Sequence, residues 1–151
     1  GLSCDTTTLQ LTGSTYAGQA IVGQAIVEVL GCDEIVVKVK PLSADRGVVD
    51  LAEPSFKVFL LSGPGFDPSD VVIESIRLGD QGVLPRGYHL DRDFNKDGVP
   101  DLTLRYKMND VSFTCGKHNL EVEAATVDDP ADYPGYATWY TGTLRITVIG
   151  C

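Results

Sequence analysis

The segment of residues 91–102 constrains the fold most, because it places four aspartates within eleven residues. Side chains with oxygen donors recur there at alternate positions, interrupted by Gly98, and they are Asp91, Asp93, Asn95, Asp97 and Asp101. Without compensation these carboxylates would repel one another. A calcium ion removes that repulsion, since it accepts roughly six to eight oxygen ligands at about 2.3–2.6 Å in a flexible geometry. The segment therefore predicts a turn that wraps around one Ca²⁺ ion.

The position of the glycine sets the register of this loop. Counting from Asp93 puts Gly98 at the sixth position, where the sharp turn of such a loop needs a glycine. Counting from Asp91 would put Lys96 there instead. In the favoured register the other expected ligands occupy positions three, five, seven and nine, and they are Asn95, Asp97, the Val99 carbonyl and Asp101.

The pattern D-x-N-x-D-G-x-x-D-L resembles the EF-hand-like calcium loop of dockerins, thrombospondin type 3 repeats and FG-GAP repeats. The wider segment 56–106 is similar to β-rich modules of secreted microbial surface proteins. The chain departs from a true EF-hand at position twelve, which is Leu104 rather than glutamate, and no amphipathic helix flanks the loop. Asp91 or Asp101 must then complete the ligand shell. The alternative is a solvated acidic turn between two strands.

The cysteines and the charge narrow the class of protein. Cysteines at positions 4, 32, 115 and 151 lack the C-x-x-C spacing of a zinc or redox site. An even number beside a calcium loop favours an oxidising extracellular compartment, the alternative being four buried free thiols. The net charge of −9 and the absence of clustered Lys or Arg argue against a nucleic-acid partner.

The ends of the chain and its apolar runs add two expectations. No apolar run approaches the roughly 20 residues that span a bilayer, so we expect no membrane span. The sequence has neither a starting methionine nor a signal peptide, and we expect a processed or excerpted chain.

Two parts of the sequence resemble each other. Residues 23–32 align without a gap to residues 142–151, with apolar side chains matching at every second position and Gly31 matching Gly150. At the other end of each part, a leucine follows the cysteine by five residues, as Leu9 follows Cys4 and Leu120 follows Cys115. A duplicated hairpin explains both matches better than chance does.

Each copy of this repeat is expected to be a β-hairpin closed by its own disulfide. The favoured pairs are Cys4–Cys32 and Cys115–Cys151, although the sequence leaves three connectivities open and permits links between subunits. Closing loops of this size would stabilise the fold by roughly 3–4 kcal/mol each. The predicted organisation is a hairpin unit at 1–32, a central β-sandwich at 33–114 that contains the calcium loop 91–102, and a hairpin unit at 115–151 related to residues 4–32.

Strand signals fill the central segment. Short apolar or alternating runs occur at residues 34–40, 56–61, 71–78, 87–91 and 102–107, separated by Gly, Pro and Asp. The run at 71–78 follows Asp67-Pro-Ser-Asp70, which is also suited to capping a single helical turn. Regular short strands with such turns predict an all-β fold, an antiparallel Ig-like β-sandwich with little helix.

The sequence offers little catalytic chemistry. Its two histidines, His89 and His118, lie in a strand and a polar turn, where solvated surface residues are the simpler interpretation. A glycosidase needs only two carboxylates, but the aspartates nearest each other belong to the calcium loop. No apolar pocket that would raise the pKa of a general acid is evident. We therefore expect no enzymatic activity.

Aromatic residues follow a second acidic patch near the C-terminus. The patch contains Asp128, Asp129 and Asp132, and a solvated loop is its simpler interpretation. The aromatic residues are Tyr133, Tyr136, Trp139 and Tyr140. They are candidates for stacking on glycans, for a contact between subunits or for capping the sandwich.

Together these features predict a calcium-binding extracellular structural module. We expect it to be a repeating block of a surface fibre, adhesin stalk or matrix filament, with further copies of itself as its partners. The alternative is a carbohydrate-binding or spacer module of a secreted enzyme.

Overall fold

The computed structural model describes residues 8–26, 33–127, 129–135 and 137–151. The chain forms two compact units, Gly1–Cys32 and Asp33–Cys151. Tyr136, Asp128 and the predicted Cys4–Cys32 disulfide lie outside the described residues. Within those residues the only helical segments are three short 3₁₀ turns, and no helix is long and apolar enough to cross a membrane.

The described part of the first unit is a two-stranded antiparallel hairpin. Strand β1 (Thr8–Ser14) pairs with strand β2 (Ala20–Ile26) along its full length. Residues directly opposite each other share a face of such a pair, so one face carries Leu9, Leu11, Ile21 and Ala25. The other face is mixed, and it carries Thr8, Gln10, Thr12, Ser14 and Gln24 together with Ala20, Val22 and Ile26. The hairpin therefore has one apolar face and one mixed face.

The second unit contains the remaining nine strands among the described residues. They are β3 (Asp33–Glu34), β4 (Val36–Lys38), β5 (Gly47–Asp50), β6 (Ser55–Leu61), β7 (Val71–Leu78), β8 (Gly87–Arg92), β9 (Asp101–Lys107), β10 (Gly116–Thr126) and β11 (Thr138–Ile149). One sheet has the order β3-β11-β10-β7, with β5 also paired to β11, and the other has the order β4-β6-β9-β8. This arrangement confirms the predicted all-β sandwich with little helix.

The core lies between these two sheets and follows the period-two alternation of the sequence. Alternate residues of β11 are buried from Tyr140 to Val148, whereas most of their neighbours are exposed or only half-buried. The opposite sheet contributes a matching apolar layer, which includes Val58, Leu60 and Leu104, each fully buried. In β11 the alternation of side chains in the sequence thus decided which face of the strand is internal.

Two local features confirm sequence interpretations, and one strand was missed. The Asp67 carboxylate accepts a hydrogen bond from the Ser69 amide at 2.9 Å and caps the 3₁₀ turn Pro68–Asp70, directly before β7. Cys115 and Cys151 form the predicted disulfide beside the β10–β11 hairpin. Strand β5, only four residues long, was not predicted, and both β3 and β5 run parallel to β11.

Candidate metal centre

The acidic loop joins the edge strand β8 to its neighbour β9, as the sequence predicts. Strand β8 ends at Arg92 and β9 begins at Asp101. Gly98 has φ +92°, in the left-handed region that glycine adopts without a steric penalty, and Lys96 is also left-handed at φ +61°. The chain therefore reverses sharply inside the loop, and Gly98 occupies one of its two left-handed positions.

The Asp93 carboxylate organises the first half of the loop. Its Oδ1 accepts a hydrogen bond from the Asp97 amide at 3.1 Å, and its Oδ2 accepts one from the Gly98 amide at 2.8 Å. The side chain thus substitutes for a backbone acceptor across a turn of five residues, as aspartate often does. This contact places Asp93 beside the backbone of Asp97.

Asp101 anchors the second half of the loop to another strand. Its side chain is fully buried. Oδ1 accepts hydrogen bonds from the Ser62 amide at 2.7 Å and from the Ser62 hydroxyl at 3.0 Å, while Oδ2 accepts one from the Phe94 amide at 2.6 Å. Both oxygens of this buried carboxylate therefore have donors, and the loop is tied to the residue that follows β6.

Asp97 and Asn95 complete the hydrogen-bonded group. Asp97 Oδ1 accepts from the Val99 amide at 2.9 Å, and its Oδ2 accepts from the Ser62 hydroxyl at 2.8 Å and from the Asn95 amide nitrogen at 3.2 Å. The Val99 amide, followed by the Ser62 hydroxyl, lowers the pKa of the Asp97 carboxyl. Asp97 is therefore ionised at neutral pH.

Ser62 is shared by two acidic side chains. Its hydroxyl oxygen lies 2.8 Å from Asp97 Oδ2 and 3.0 Å from Asp101 Oδ1. A hydroxyl has a single proton to donate, so it serves only one of these carboxylates at a time. Two carboxylates therefore converge on one small side chain.

An aromatic contact holds the loop against the outer face of the sheet. Phe94 packs edge-to-face on Phe59 of β6, with ring centroids 4.9 Å apart and an interplanar angle of 73°. Phe59 is 2% exposed although its strand neighbours Val58 and Leu60 point into the core. Phe94 therefore covers an apolar side chain that would otherwise face solvent.

The structure brings four of the six predicted ligands into one hydrogen-bonded group. Those four are Asp93, Asn95, Asp97 and Asp101. Asp91 is exposed and lines a separate cleft with cationic side chains, among them Lys40, Lys57 and Arg92. Val99 contributes its amide to Asp97.

The two histidines lie apart from the hydrogen-bonded group. His89 lines the same cleft as Asp91, and His118 contacts the Thr114 carbonyl oxygen through Nε2 at 2.6 Å.

The donor types of the loop suit a hard cation. Each carboxylate oxygen has two lone pairs, and the hydrogen bonds to Asp93 occupy one on each oxygen, which leaves others for Ca²⁺. Within the described residues, however, no three His, Cys, Asp or Glu side chains are gathered as a metal-binding group. An ion here would need the Asn95 amide oxygen or main-chain carbonyls as additional ligands.

The predicted aromatic cluster is divided between surface and core. Tyr133 and Trp139 lie with ring centroids 6.4 Å apart at 51°, and Trp139 is 37% exposed. Tyr140 is buried against Phe66, and its hydroxyl donates a hydrogen bond to the Gly65 carbonyl at 2.8 Å. Among the described members of the cluster, only Tyr133 and Trp139 offer ring surface to a ligand.

Sequence reasoning missed Ser62 and the packing of Phe94 on Phe59. Ser62 is 35 residues from Asp97 and 39 from Asp101 along the chain. No local pattern marks a serine after an apolar strand as the partner of a distant acidic loop. Only the pairing of β6 with β9 brings them together.

Comparisons with known proteins found no relative of this chain. No model of a protein family matches the chain, no curated protein matches it, and no solved structure matches it.

Proposed function

We propose that this chain is a calcium-binding structural module of an extracellular assembly. The observation that carries the proposal is the single hydrogen-bonded group formed by the loop aspartates between β8 and β9, tied to β6 through Ser62. An ion held in this group would clamp three strands of one sheet. Binding energy for the ion then becomes stability of the fold, because the unfolded chain cannot hold it in the same way.

The electrostatics of the loop support a cation. Asp97 has a lowered pKa, which suits an ionised ligand and is the opposite of what a general acid requires. The chain as a whole carries a net charge of −9. A divalent cation at the loop would reduce the repulsion between Asp97 and Asp101 at their shared contact with Ser62.

The wider proposal is a non-enzymatic block that repeats along a surface fibre, adhesin stalk or matrix filament. The Cys115–Cys151 disulfide supports an oxidising extracellular location. The engagement of the loop carboxylates by amide donors supports a scaffolding role rather than proton transfer. Copies of the chain itself remain the proposed partners.

Thermal unfolding with calcium and with chelator tests the proposal. Calcium at about one hundred times its Kd should stabilise the fold by about 2.7 kcal/mol, a rise in Tm of roughly 5–10 °C for a chain of this size. Asp97→Ala should show little of this calcium-dependent rise in Tm, even when no chelator is present. Asp45→Ala, which changes an exposed carboxylate outside the loop, is the matched control and should keep it. Superimposable wild-type melting curves in the two conditions would contradict the proposal.

A further inference from the structure

The hairpin of the first unit has the same strand register as the β10–β11 hairpin of the second. Aligning Cys4 with Cys115 matches Leu9 with Leu120. A separate alignment, of residues 23–32 with residues 142–151, matches Ala25 with Leu144. In the structure Leu9 lies opposite Ala25, and Leu120 lies opposite Leu144. The next equivalent pairs also agree, and they are Leu11 with Gly23 and Val122 with Gly142. The two hairpins are thus copies of one element in both sequence and pairing.

In the second unit, this element closes a sandwich whose other strands all come from residues 33–114. Strand β7 pairs with β10, and β3 and β5 pair with β11. The four-stranded sheet supplies the apolar layer of the core that faces the hairpin's buried residues. The hairpin is therefore one part of a two-part fold, and residues 33–114 are the other.

Gly142 marks how closely the two parts approach. A Cβ atom added at Gly142 would lie 2.5 Å from Val37 Cγ2 and 2.6 Å from the Ile35 carbonyl oxygen. The equivalent residue of the first hairpin is also a glycine, Gly23, and a Cβ atom there would meet none of the described residues within 4 Å. The first hairpin thus has the residue that permits a close approach, while no described residue makes that approach.

The apolar face of the first hairpin is exposed and uncharged. Leu9, Leu11 and Ile21 are 43%, 74% and 50% exposed. None of residues 8–26 is Asp, Glu, Lys or Arg, although 22% of the chain is charged. An isolated two-stranded hairpin is at best marginally stable in water. A surface that covers it must be apolar and uncharged as well, and the hairpin-facing side of the four-stranded sheet has that character, with Val58, Leu60 and Leu104 fully buried.

We propose that the hairpin of residues 8–26 is the closing hairpin of another sandwich, whose remaining strands are a second copy of residues 33–114. The covering segment must lack a β10–β11 hairpin of its own, because that hairpin would occupy the same surface. This condition is met when the repeating unit of a longer polypeptide is one such segment followed by one hairpin, as in residues 33–151, so that the hairpin of residues 8–26 ends the preceding unit. The inference rests on the proposed repeating assembly and names the surface through which successive copies are built.

The test extends the full chain by an additional copy of residues 33–114 placed before residue 1. This segment contains no cysteine, so it introduces no new disulfide. Amide hydrogen exchange of residues 8–26, measured by mass spectrometry on proteolytic fragments, should slow by at least about 100-fold relative to the original chain, as expected for strands that become part of a cooperative core. Unchanged exchange, including the case in which the added segment stays unfolded, would overturn the inference.

Gly23→Val provides the matched variant. In the original chain it should leave exchange of the hairpin unchanged, since a Cβ atom there has no neighbour within 4 Å in the described part of the chain. In the extended chain it should abolish the slowing, because the equivalent position tolerates no side chain beside Ile35 and Val37. Slowing that survives Gly23→Val would mean that the hairpin is covered in some other way, and the inference would be wrong.

The same experiment separates this inference from the calcium proposal. Slow exchange in the extended chain, combined with a Tm that does not respond to chelator, would overturn the calcium clamp and leave the hairpin assignment standing. A calcium-dependent Tm combined with unchanged exchange would support the calcium clamp and overturn the hairpin assignment.

Discussion

At the scale of single residues, Asp101 shows how a charge is accommodated in a small β domain. Transferring an unpaired carboxylate into a protein interior is strongly unfavourable. Here both oxygens accept hydrogen bonds, from Ser62 on one side and from the Phe94 amide on the other. Hydrogen bonds to an ionised acceptor are about twice as strong as neutral ones. Asp101 therefore positions the loop through contacts within the protein itself.

Asp101→Asn should lower the free energy of unfolding by about 2–4 kcal/mol. The amide that replaces one oxygen would point a donor at the donors of Ser62 or Phe94 and leave a buried group unsatisfied. Urea denaturation in the presence of chelator measures this effect apart from any metal. Asp45→Asn is the control and should change stability by no more than about 0.5 kcal/mol. An equally small effect at both positions would refute the anchoring role.

Tyr106 presents the opposite case, a buried polar group without compensation. Its hydroxyl is the buried side-chain polar atom without a hydrogen-bond partner among the described residues, and burial raises its pKa above the ordinary value. Its ring is stacked on Phe56, with centroids 5.5 Å apart. The packing of the ring stabilises the fold, whereas the buried hydroxyl without a partner destabilises it.

Tyr106→Phe should therefore raise the free energy of unfolding by about 1 kcal/mol at pH 7. Because the folded state keeps this proton after the unfolded chain loses it near pH 10, wild-type stability should fall as the pH rises above about 10. The variant should show a smaller fall. Tyr88→Phe, at a tyrosine that is 54% exposed, is the control and should alter neither quantity. A destabilised Tyr106→Phe variant would show that the hydroxyl has a partner.

At the scale of secondary-structure elements, the β10–β11 hairpin holds the second unit together. Strand β11 pairs with β10 along one edge and with β3 and β5 along the other. The disulfide joins Cys115 to Cys151 across a separation of 36 residues, with their Cα atoms 6.1 Å apart. The covalent link therefore closes the hairpin at the end opposite to its turn.

Replacing both cysteines, as Cys115→Ser with Cys151→Ser, should lower the free energy of unfolding by roughly 3–4 kcal/mol, through the greater conformational freedom of the unfolded chain. Urea denaturation of the double variant measures this. The strand pairing itself should persist, as far-ultraviolet circular dichroism would report. Stability equal to that of the wild type would show that the hairpin is held by its neighbouring strands alone.

At the scale of the whole molecule, net charge governs how copies can meet. A charge of −9 makes identical chains repel one another at long range. Salt screens that repulsion within about 10 Å at 0.1 M ionic strength, and bound calcium would reduce it further. An assembly of this chain should therefore depend on the salt concentration and on calcium.

We predict that mature material is polymeric and that calcium favours the polymer. Sedimentation velocity at moderate salt should show large species with calcium and fewer with chelator, because the ion lowers the net charge. Asp97→Ala should weaken the response, while Asp45→Ala should leave it intact. A monodisperse monomer in the presence of calcium would count heavily against assembly of separate chains, whereas copies joined in one polypeptide are tested by the hydrogen-exchange experiment.

The sequence by itself determined the features that depend on near neighbours. Short apolar or alternating runs predicted β6, β7 and β9. The spacing of Asp93, Gly98 and Asp97 predicted a tight acidic turn, and the structure joins these residues by hydrogen bonds. That the turn binds calcium stays a prediction. Such patterns are legible because strand periodicity and turn chemistry act over only a few residues.

Only the tertiary structure decided which distant residues meet. It placed Ser62 between Asp97 and Asp101, set β5 parallel to β11, and buried Tyr140 in the core instead of leaving it beside Trp139. None of these follows from local pattern, because each depends on which strands pair and which sheets pack together. Side chains separated by tens of residues become neighbours only when the hydrophobic core has formed around them.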